Sequence, residues 1–287
     1  MNNYNTICLS GGGISGISQI SALEYLNKNK IINFNNINLY VGTSVGSIIS
    51  FLIIIGYKPN YIIEFIKKFD FNKIKEDFDI DKLFLNYGIN NFTNLMIIIK
   101  SFLYNKFNIS DITFRELYLK TNKKLSIIAT NLTKNREEYF SLDTTPDFSV
   151  LLAIRMSISL PIISTPVKYN NDLYVDGGCF NNFPINYCDK NTTLGIAIHI
   201  NSENKINNLI DYLKSYYELY FKVNNNKHNY NKDNVIILEG LNTSNYDNDT
   251  INNFLKSGII KAKEFSENKP LFIVKNLLNE IINNLVI

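Results

Sequence analysis

Histidine is nearly absent from this chain of 287 residues, which contains only His199 and His228. A hydrolytic site built on a Ser-Asp-His triad would therefore have two candidates for its base. His199 lies in the apolar run Thr193 to Ile200, which predicts a strand and a core or strand-end position. His228 lies in the asparagine-rich stretch Asn224 to Asn234, which predicts a surface loop. A catalytic triad that uses one of these two histidines stays open as an alternative.

Cysteine is also scarce. Cys8, Cys179 and Cys188 are odd in number and lack the paired spacing of a zinc site, and no EF-hand-like loop is present. This pattern predicts reduced thiols, no metal and no cofactor, and a cytoplasmic location. The segment Met1 to Asn5 has no charged stretch followed by an apolar one, so we expect no secretory signal.

Long hydrophobic runs and a strong net charge are missing as well. The longest apolar run, Ile48 to Ile55, is far shorter than the roughly 20 residues that a membrane-spanning helix needs. A net charge of +3 is too small to argue for nucleic acid, although it is compatible with weak attraction to an anionic lipid surface. The hydrophobic content of 45% is enough for one sizeable core, in one or two domains.

The most informative motif is Gly42-Thr43-Ser44-Val45-Gly46, a G-x-S-x-G pentapeptide. It stands between the apolar runs Ile37 to Val41 and Ile48 to Ile55, which predicts a strand, a sharp turn and a helix. Gly42 and Gly46 suit a turn in which strand and helix backbones come too close for a Cβ. The pattern indicates that Ser44 is a nucleophile at the N-terminus of a helix, where negative charge is favoured.

A glycine cluster, Gly11-Gly12-Gly13-Ile14-Ser15-Gly16, lies upstream between a β-prone run and a helical pattern. Adjacent glycines leave backbone N–H groups open to an anion. The spacing of Gly11, Gly13 and Gly16 fits a dinucleotide fingerprint, which also requires an acidic residue about 20 residues further on. Since no Asp or Glu occurs between Glu24 and Glu64, the cluster favours an oxyanion-binding loop over a dinucleotide site.

Asp176-Gly177-Gly178 follows the β-prone run Asp172 to Val175. Aspartate before two glycines is by itself typical of a turn. A nucleophilic serine needs a base, however, and Asp176 ends a predicted strand, where catalytic residues of open α/β sheets are found.

With these three motifs in this order, the chain resembles the patatin-like phospholipases over about residues 6–200. Four further segments resemble the family: Thr113 to Tyr118, Ala129 to Thr133, Ala153 to Pro161 and Asp176 to Pro184. The resemblance implies a lipid acyl hydrolase of phospholipase A type with a Ser44–Asp176 dyad, an acyl-enzyme intermediate and an oxyanion hole formed by the amides of Gly11, Gly12 and Gly13. Many members have Arg or Lys where this chain has Ser15. A catalytically silent lipid-binding protein is the other alternative.

The resemblance also implies an α/β fold with a central, mostly parallel sheet flanked by helices, a patatin-like three-layer sandwich. We expect an acyl hydrolase domain over residues 6–200 and a mostly helical extension over 201–287, packed on the same domain. The implied partner is a phospholipid or other acyl lipid, met by peripheral membrane contact, with no nucleic acid.

Several local signals predict individual elements. Thr113 and Glu116 form a capping-box pattern, and Asp147 is predicted to cap a helix that reaches Ser157. The stretch Phe71 to Phe107 is apolar with interspersed lysines, which favours core-completing helices, with a lipid-contacting cap as the alternative. We also predict helices over 209–222, 250–265 and 271–285 and a strand over 235–238.

Overall fold

The computed structural model describes residues 4–74, 80–200, 206–207, 212, 215–216, 219, 232–241 and 247–268. In these ranges the strands are β1 (Thr6–Leu9), β2 (Leu39–Thr43), β3 (Gly88–Asn90), β4 (Lys124–Asn131), β5 (Arg136–Ser141), β6 (Ile162–Ser164), β7 (Val167–Tyr169), β8 (Asp172–Asp176), β9 (Thr193–Ile200) and β10 (Val235–Gly240). The α-helices are α1 (Gly16–Lys28), α2 (Val45–Ile54), α3 (Pro59–Lys68), α4 (Ile80–Asn86), α5 (Thr93–Phe107), α6 (Phe114–Thr121), α7 (Val150–Ser157), α8 (Gly178–Asn181) and α9 (Asn248–Glu267).

Eight strands form one sheet in the order β10-β9-β1-β2-β4-β8-β7, and β5 pairs with β4 beside this path. The strands from β10 to β4 are parallel to their neighbours. The pairs of β4 with β5, β4 with β8 and β7 with β8 are antiparallel. The short strands β3 and β6 form a separate parallel pair. The expectation of a mostly parallel sheet is confirmed.

Both faces of this sheet are buried, as the alternation along β1 illustrates. Ile7 and Leu9 belong to the large core cluster, while Cys8 points into a smaller cluster that contains Phe183 and Ile185. Successive residues of a strand point to opposite faces, so each cluster fills one side of the sheet. A strand that is covered on both faces is a continuous apolar run, which is why β1 shows no polar alternation. The fold is therefore an α/β sheet flanked by helices.

The segments after residue 200 join the same sheet and its helical cover. β10 pairs in parallel with β9 along its whole length, which confirms the predicted strand. Helix α9 packs against α1 so closely that a Cβ on Gly258 would overlap the carbonyl of Ser18. The predicted helices 209–222 and 271–285 and the predicted loop 224–234 lie wholly or largely outside the described residues.

Two helix starts test the capping predictions. The capping box of Thr113 and Glu116 is confirmed at the start of α6. The prediction for Asp147 is wrong, because Ser149 is the N-cap of α7 and its hydroxyl accepts from the amide of Leu152 at 3.0 Å. Asp147 instead accepts a hydrogen bond from Arg115 at 2.8 Å. A capping side chain must lie immediately before the first helical turn, and Asp147 is two residues too early.

The stretch Phe71 to Phe107 has two different parts. Helix α5 buries Ile99, Phe102 and Leu103 in the main core, as the packing interpretation predicts. In α4 and just after it, three large apolar side chains are exposed: Phe84, Leu85 and Tyr87. No helix in the described ranges has both the length and the apolar character required to cross a membrane.

Candidate active site

Ser44 stands at the sharp turn between β2 and α2. Its backbone has φ 51° and ψ −124°, a conformation that is strained for a residue with a side chain. A Cβ on Gly42 would lie 2.6 Å from the backbone of Gly46, and a Cβ on Gly46 would lie 2.5 Å from the carbonyl oxygen of Leu9. The two motif glycines therefore permit the close approach of helix and sheet that this turn requires.

The sheet brings Asp176 to the end of β2 by an antiparallel route. β2 runs along one edge of β4 until Thr43 lies opposite Ile128. β8 runs along the same edge in the opposite direction until Asp176 lies opposite Ala129. The other edge of this part of β4 is taken by β5. Because Ile128 and Ala129 are adjacent, the ends of β2 and β8 meet head to head.

This meeting joins the two side chains directly. The hydroxyl of Ser44 donates to Oδ2 of Asp176 at 2.7 Å, and the amide of Gly178 donates to Oδ1 at 2.7 Å. Asp176 is only 5% exposed. Burial raises the pKa of Asp176 from 3.8 to about 6, and the hydrogen bonds from Ser44 and Gly178 oppose this rise. A carboxylate with this pKa can accept a proton near neutral pH more readily than an ordinary aspartate can.

The glycine loop lies against the nucleophile. A Cβ on Gly11 would lie 3.2 Å from the Cβ of Ser44. The amide of Gly11 is already used, since it donates to the carbonyl of Asn182 at 3.1 Å. Among the described residues, the amides of Gly12 and Gly13 donate no backbone hydrogen bond. Gly13 has a φ of +55°, which explains the need for glycine there.

The remaining motif positions have structural partners. A Cβ on Gly16 would lie 2.6 Å from a methyl group of Val45, so α1 and α2 begin in contact. A Cβ on Gly177 would overlap the carbonyl of Ile128. Ser15 is fully buried, and its hydroxyl accepts from the amide of Leu241 at 3.2 Å. The position where many patatin-like proteins have a cation is thus filled here by a small, internally bonded side chain.

Two residues close to the site were not singled out from the sequence. Ser157, at the end of α7, accepts a hydrogen bond from the amide of Ser44 at 2.8 Å. The carbonyl of Asn182 accepts the hydrogen bond from the amide of Gly11. Both lie in segments that resemble the family, which is the signal that could have identified them. A buried serine or an asparagine in a turn carries no further sign of its role in the sequence.

His199 is placed apart from the Ser44–Asp176 pair. His199 lies near the end of β9, opposite Glu239 of β10, and β1 separates β9 from β2. It is half-buried, and burial lowers its pKa. His228 lies outside the described residues. In the described part of the chain, no three His, Cys, Asp or Glu side chains group together as a metal ion would require.

Comparison with known proteins identifies the family of this chain. A sequence model of the family described as patatin-like phospholipase matches residues 7–189, which include all three motifs. The chain belongs to the patatin-like phospholipase family. A probable lipid hydrolase of Invertebrate iridescent virus 6 is 38% identical over 192 residues, which are 65% of this chain and 64% of that protein. An uncharacterized protein of Acanthamoeba polyphaga mimivirus is 35% identical over 222 residues, 73% of each chain.

Solved structures extend the likeness at the level of the fold. VipD from Legionella pneumophila superposes with a TM-score of 0.60 at 17% identity, covering 92% of this chain and 66% of that one. ExoU from Pseudomonas aeruginosa, in its complex with SpcU, gives a TM-score of 0.57 at 16% identity, covering 92% and 51%. This patatin-like chain matches under two thirds of the length of the viral lipid hydrolase and of both these structures.

Proposed function

We propose that this protein is a lipid acyl hydrolase of phospholipase A type in which Ser44 is the nucleophile and Asp176 the general base. One observation supports this most strongly: the hydroxyl of the strained elbow serine donates directly to a buried carboxylate at 2.7 Å. A nucleophile within hydrogen-bond reach of its base is the arrangement that covalent ester hydrolysis needs. Membership of the patatin-like phospholipase family and the viral lipid hydrolase point to the same substrate class.

The reaction has two steps. Ser44 Oγ attacks the ester carbonyl carbon while its proton passes to Asp176, and the tetrahedral intermediate then collapses. The bond from carbon to the alcohol oxygen breaks, and Asp176 returns the proton to that oxygen. Water then attacks the acyl-enzyme, its proton again passing to Asp176 and on to Ser44 as the fatty acid leaves.

The amides of Gly12 and Gly13 are the proposed donors to the oxyanion, since the amide of Gly11 is bonded to Asn182. The proposed oxyanion hole therefore has two glycine amides as donors, where the family resemblance implies three. Preformed backbone donors aimed at developing negative charge contribute roughly 3–4 kcal/mol each to transition-state stabilisation. They would supply the largest part of the catalysis that a weak base such as aspartate cannot provide.

We also propose peripheral contact with a lipid surface on the cytoplasmic side. Phe84, Leu85 and Tyr87 are 74%, 77% and 66% exposed, and large apolar side chains in such a group favour an apolar partner. β3 follows this segment and pairs with β6, the strand that comes next after α7. Net charge of +3 is compatible with weak attraction to anionic lipid.

A panel of lipid esters tests this function. Wild type should release fatty acid from vesicles and react with a fluorophosphonate probe, whereas Ser44→Ala should do neither and should lose at least about a thousandfold in turnover. Persistent labelling of Ser44→Ala would assign the nucleophile to another serine. Binding of vesicles without any turnover by wild type would support the lipid-binding alternative instead.

The proposed lipid contact has its own control. Changing both Phe84 and Leu85 to Ser should weaken co-sedimentation with vesicles while hydrolysis of a soluble short-chain ester persists. Leu119, which is 74% exposed on α6, provides a matched surface change, Leu119→Ser, that should leave vesicle binding intact.

A further inference from the structure

Ser157 is the last residue of α7 and is fully buried. Its hydroxyl has two partners: it accepts from the amide of Ser44 at 2.8 Å and donates to the carbonyl of Ile128 at 2.6 Å. Ile128 is the residue of β4 opposite which β2 ends. The hydroxyl therefore ties the backbone of the nucleophile to the strand that both site segments share.

The backbone of the same helix end holds the other site segment. The carbonyl of Ser157 accepts from the amide of Gly177 at 3.2 Å, and the carbonyl of Ser159 accepts from the amide of Asp176 at 2.8 Å. The last carbonyls of a helix have no partner within the helix, so they are free to bind an adjacent turn. Ser159 is itself bonded to Arg155 through its hydroxyl.

We infer that Ser157 is a positioning residue, which sets Ser44 at hydrogen-bond distance from Asp176 by holding the elbow through its hydroxyl and the Asp176-Gly177 turn through its carbonyl. The inference rests on the proposed function, in which Ser44 and Asp176 react. Ser157 touches neither the substrate nor the reacting atoms in this scheme.

The strain of the elbow explains why such a residue is needed. A backbone conformation like that of Ser44 persists only where its surroundings over-determine it. The glycines permit the turn, but they supply no bond to the Ser44 amide. That bond comes from the hydroxyl of Ser157, because Ser44 is the N-cap of α2 and an amide at this position has no carbonyl partner within the helix.

A matched pair of alanine variants tests the inference. Ser157→Ala removes a bonded hydroxyl at a fully buried helical serine. Ser50→Ala removes the hydroxyl of an equally buried serine in α2, and this hydroxyl has no hydrogen-bond partner among the described residues. The readouts are the rate of fluorophosphonate labelling and kcat and KM on a soluble ester, each corrected for the folded fraction by circular dichroism.

Ser157→Ala should label and turn over about 10- to 100-fold more slowly with KM nearly unchanged, since small misplacements of reacting groups have effects of this size. Ser50→Ala should match wild type. Ser157→Thr, which keeps the hydroxyl, should recover most of the lost rate. Equal rates for the two alanine variants, or no recovery in a folded Ser157→Thr, would overturn the inference.

The pH profile separates positioning from a general loss of stability. The hydrogen bond from Ser44 lowers the pKa of Asp176, so a displaced Ser44 should move the acid limb of kcat/KM to higher pH in Ser157→Ala. An unmoved limb with a slower rate would indicate a structural effect only and would count against the inference. Wild type that neither labels nor hydrolyses would overturn the proposed function and this inference with it, whereas an active wild type with an equally active Ser157→Ala would overturn this inference alone.

Discussion

Ser44 directly follows the end of β2 and Asp176 ends β8, two strands that reach the same edge of β4 from opposite directions. The two strand ends are held differently. The Ser44 turn is strained, with φ 51°, and it depends on glycines that let backbones approach closely. The Asp176 turn is relaxed, since Gly177 has helical φ and ψ of −59° and −29°. It also requires a glycine, because a Cβ on Gly177 would overlap the carbonyl of Ile128. Hydrogen bonds with distant segments hold it as well: the amide of Asp176 donates to the carbonyl of Ser159, and the hydroxyl of Thr130 donates to the carbonyl of Asp176.

The Ser44 turn can thus be recognised from a local motif, whereas the position of the Asp176 turn cannot. The elbow motif can be recognised within five residues, although the bond to its Ser44 amide comes from the distant Ser157. The aspartate turn acquires its position only when α7 and β4 are packed against it. We therefore expect substitution of Asp176 to change the chemical step, and substitutions of the glycines to change the backbone geometry of the site.

The largest effect is expected from Asp176→Asn. The amide keeps the shape of the carboxylate but cannot take the proton of Ser44, so kcat should fall by about 10²- to 10⁴-fold while vesicle binding persists. Steady-state kinetics beside vesicle co-sedimentation measure this. Asp172→Asn at the other end of β8, where Asp172 pairs with Lys134 at 2.6 Å, is the control and should remain active. Near wild-type turnover by Asp176→Asn would reduce Asp176 to a turn residue.

A smaller loss is expected from Gly13→Ala. The Gly13 φ of +55° is unfavourable for alanine, so the amide should turn away from the oxyanion and kcat should fall by about 10- to 100-fold. Gly56→Ala introduces comparable backbone strain at φ +94° without touching the loop. Kinetics and thermal unfolding of both variants separate strain from catalysis. Equal activity of Gly13→Ala and Gly56→Ala would show that the amide of Gly13 does not contribute to the oxyanion hole.

Asp176 should also cost stability at high pH. Its pKa of about 6 in the folded chain lies above the ordinary 3.8, so the folded state binds this proton more tightly. The stability contributed by the protonated form is complete below pH 3.8 and is lost as pH rises through 6. Asp176→Asn should thus exceed wild type by up to about 3 kcal/mol in unfolding free energy at pH 8, with no gain at pH 3.5.

Chemical denaturation at the two pH values measures this difference. Asp143→Asn, which alters an exposed carboxylate paired with Lys124, is the control and should change stability by less than about 1 kcal/mol. A gain for Asp176→Asn that is the same at both pH values would contradict the assigned pKa.

The smallest effect is expected from the histidines. Because Ser44 donates directly to Asp176, changing His199 and His228 together to Gln should alter kcat by less than about threefold. The acid limb of kcat/KM should stay near pH 6, which follows the pKa of Asp176. A loss of about a hundredfold in a folded double variant would restore the Ser-Asp-His alternative.

Sequence reasoning succeeded where a few neighbouring residues decide the structure. The elbow around Ser44 and the capping box of Thr113 and Glu116 follow from local spacing. It failed for Asp147 because a difference of two residues decides which side chain meets the first amides of α7. Sequence reasoning also could not predict the hydrogen bond from the amide of Gly11 to the carbonyl of Asn182, since the two residues are far apart in the chain.

The motifs, the family and the class of fold follow from the amino-acid sequence alone, because apolar periodicity and glycine spacing act over short distances. That β8 runs antiparallel to β4 and meets β2 end to end is visible only in the folded sheet. Strand direction and register depend on pairing between segments that are distant in the chain. The bond from Ser44 to Asp176, for example, joins residues that are 132 positions apart. The burial that raises the pKa of Asp176, and the hydroxyl of Ser157 that holds the elbow, exist only once those segments have packed together.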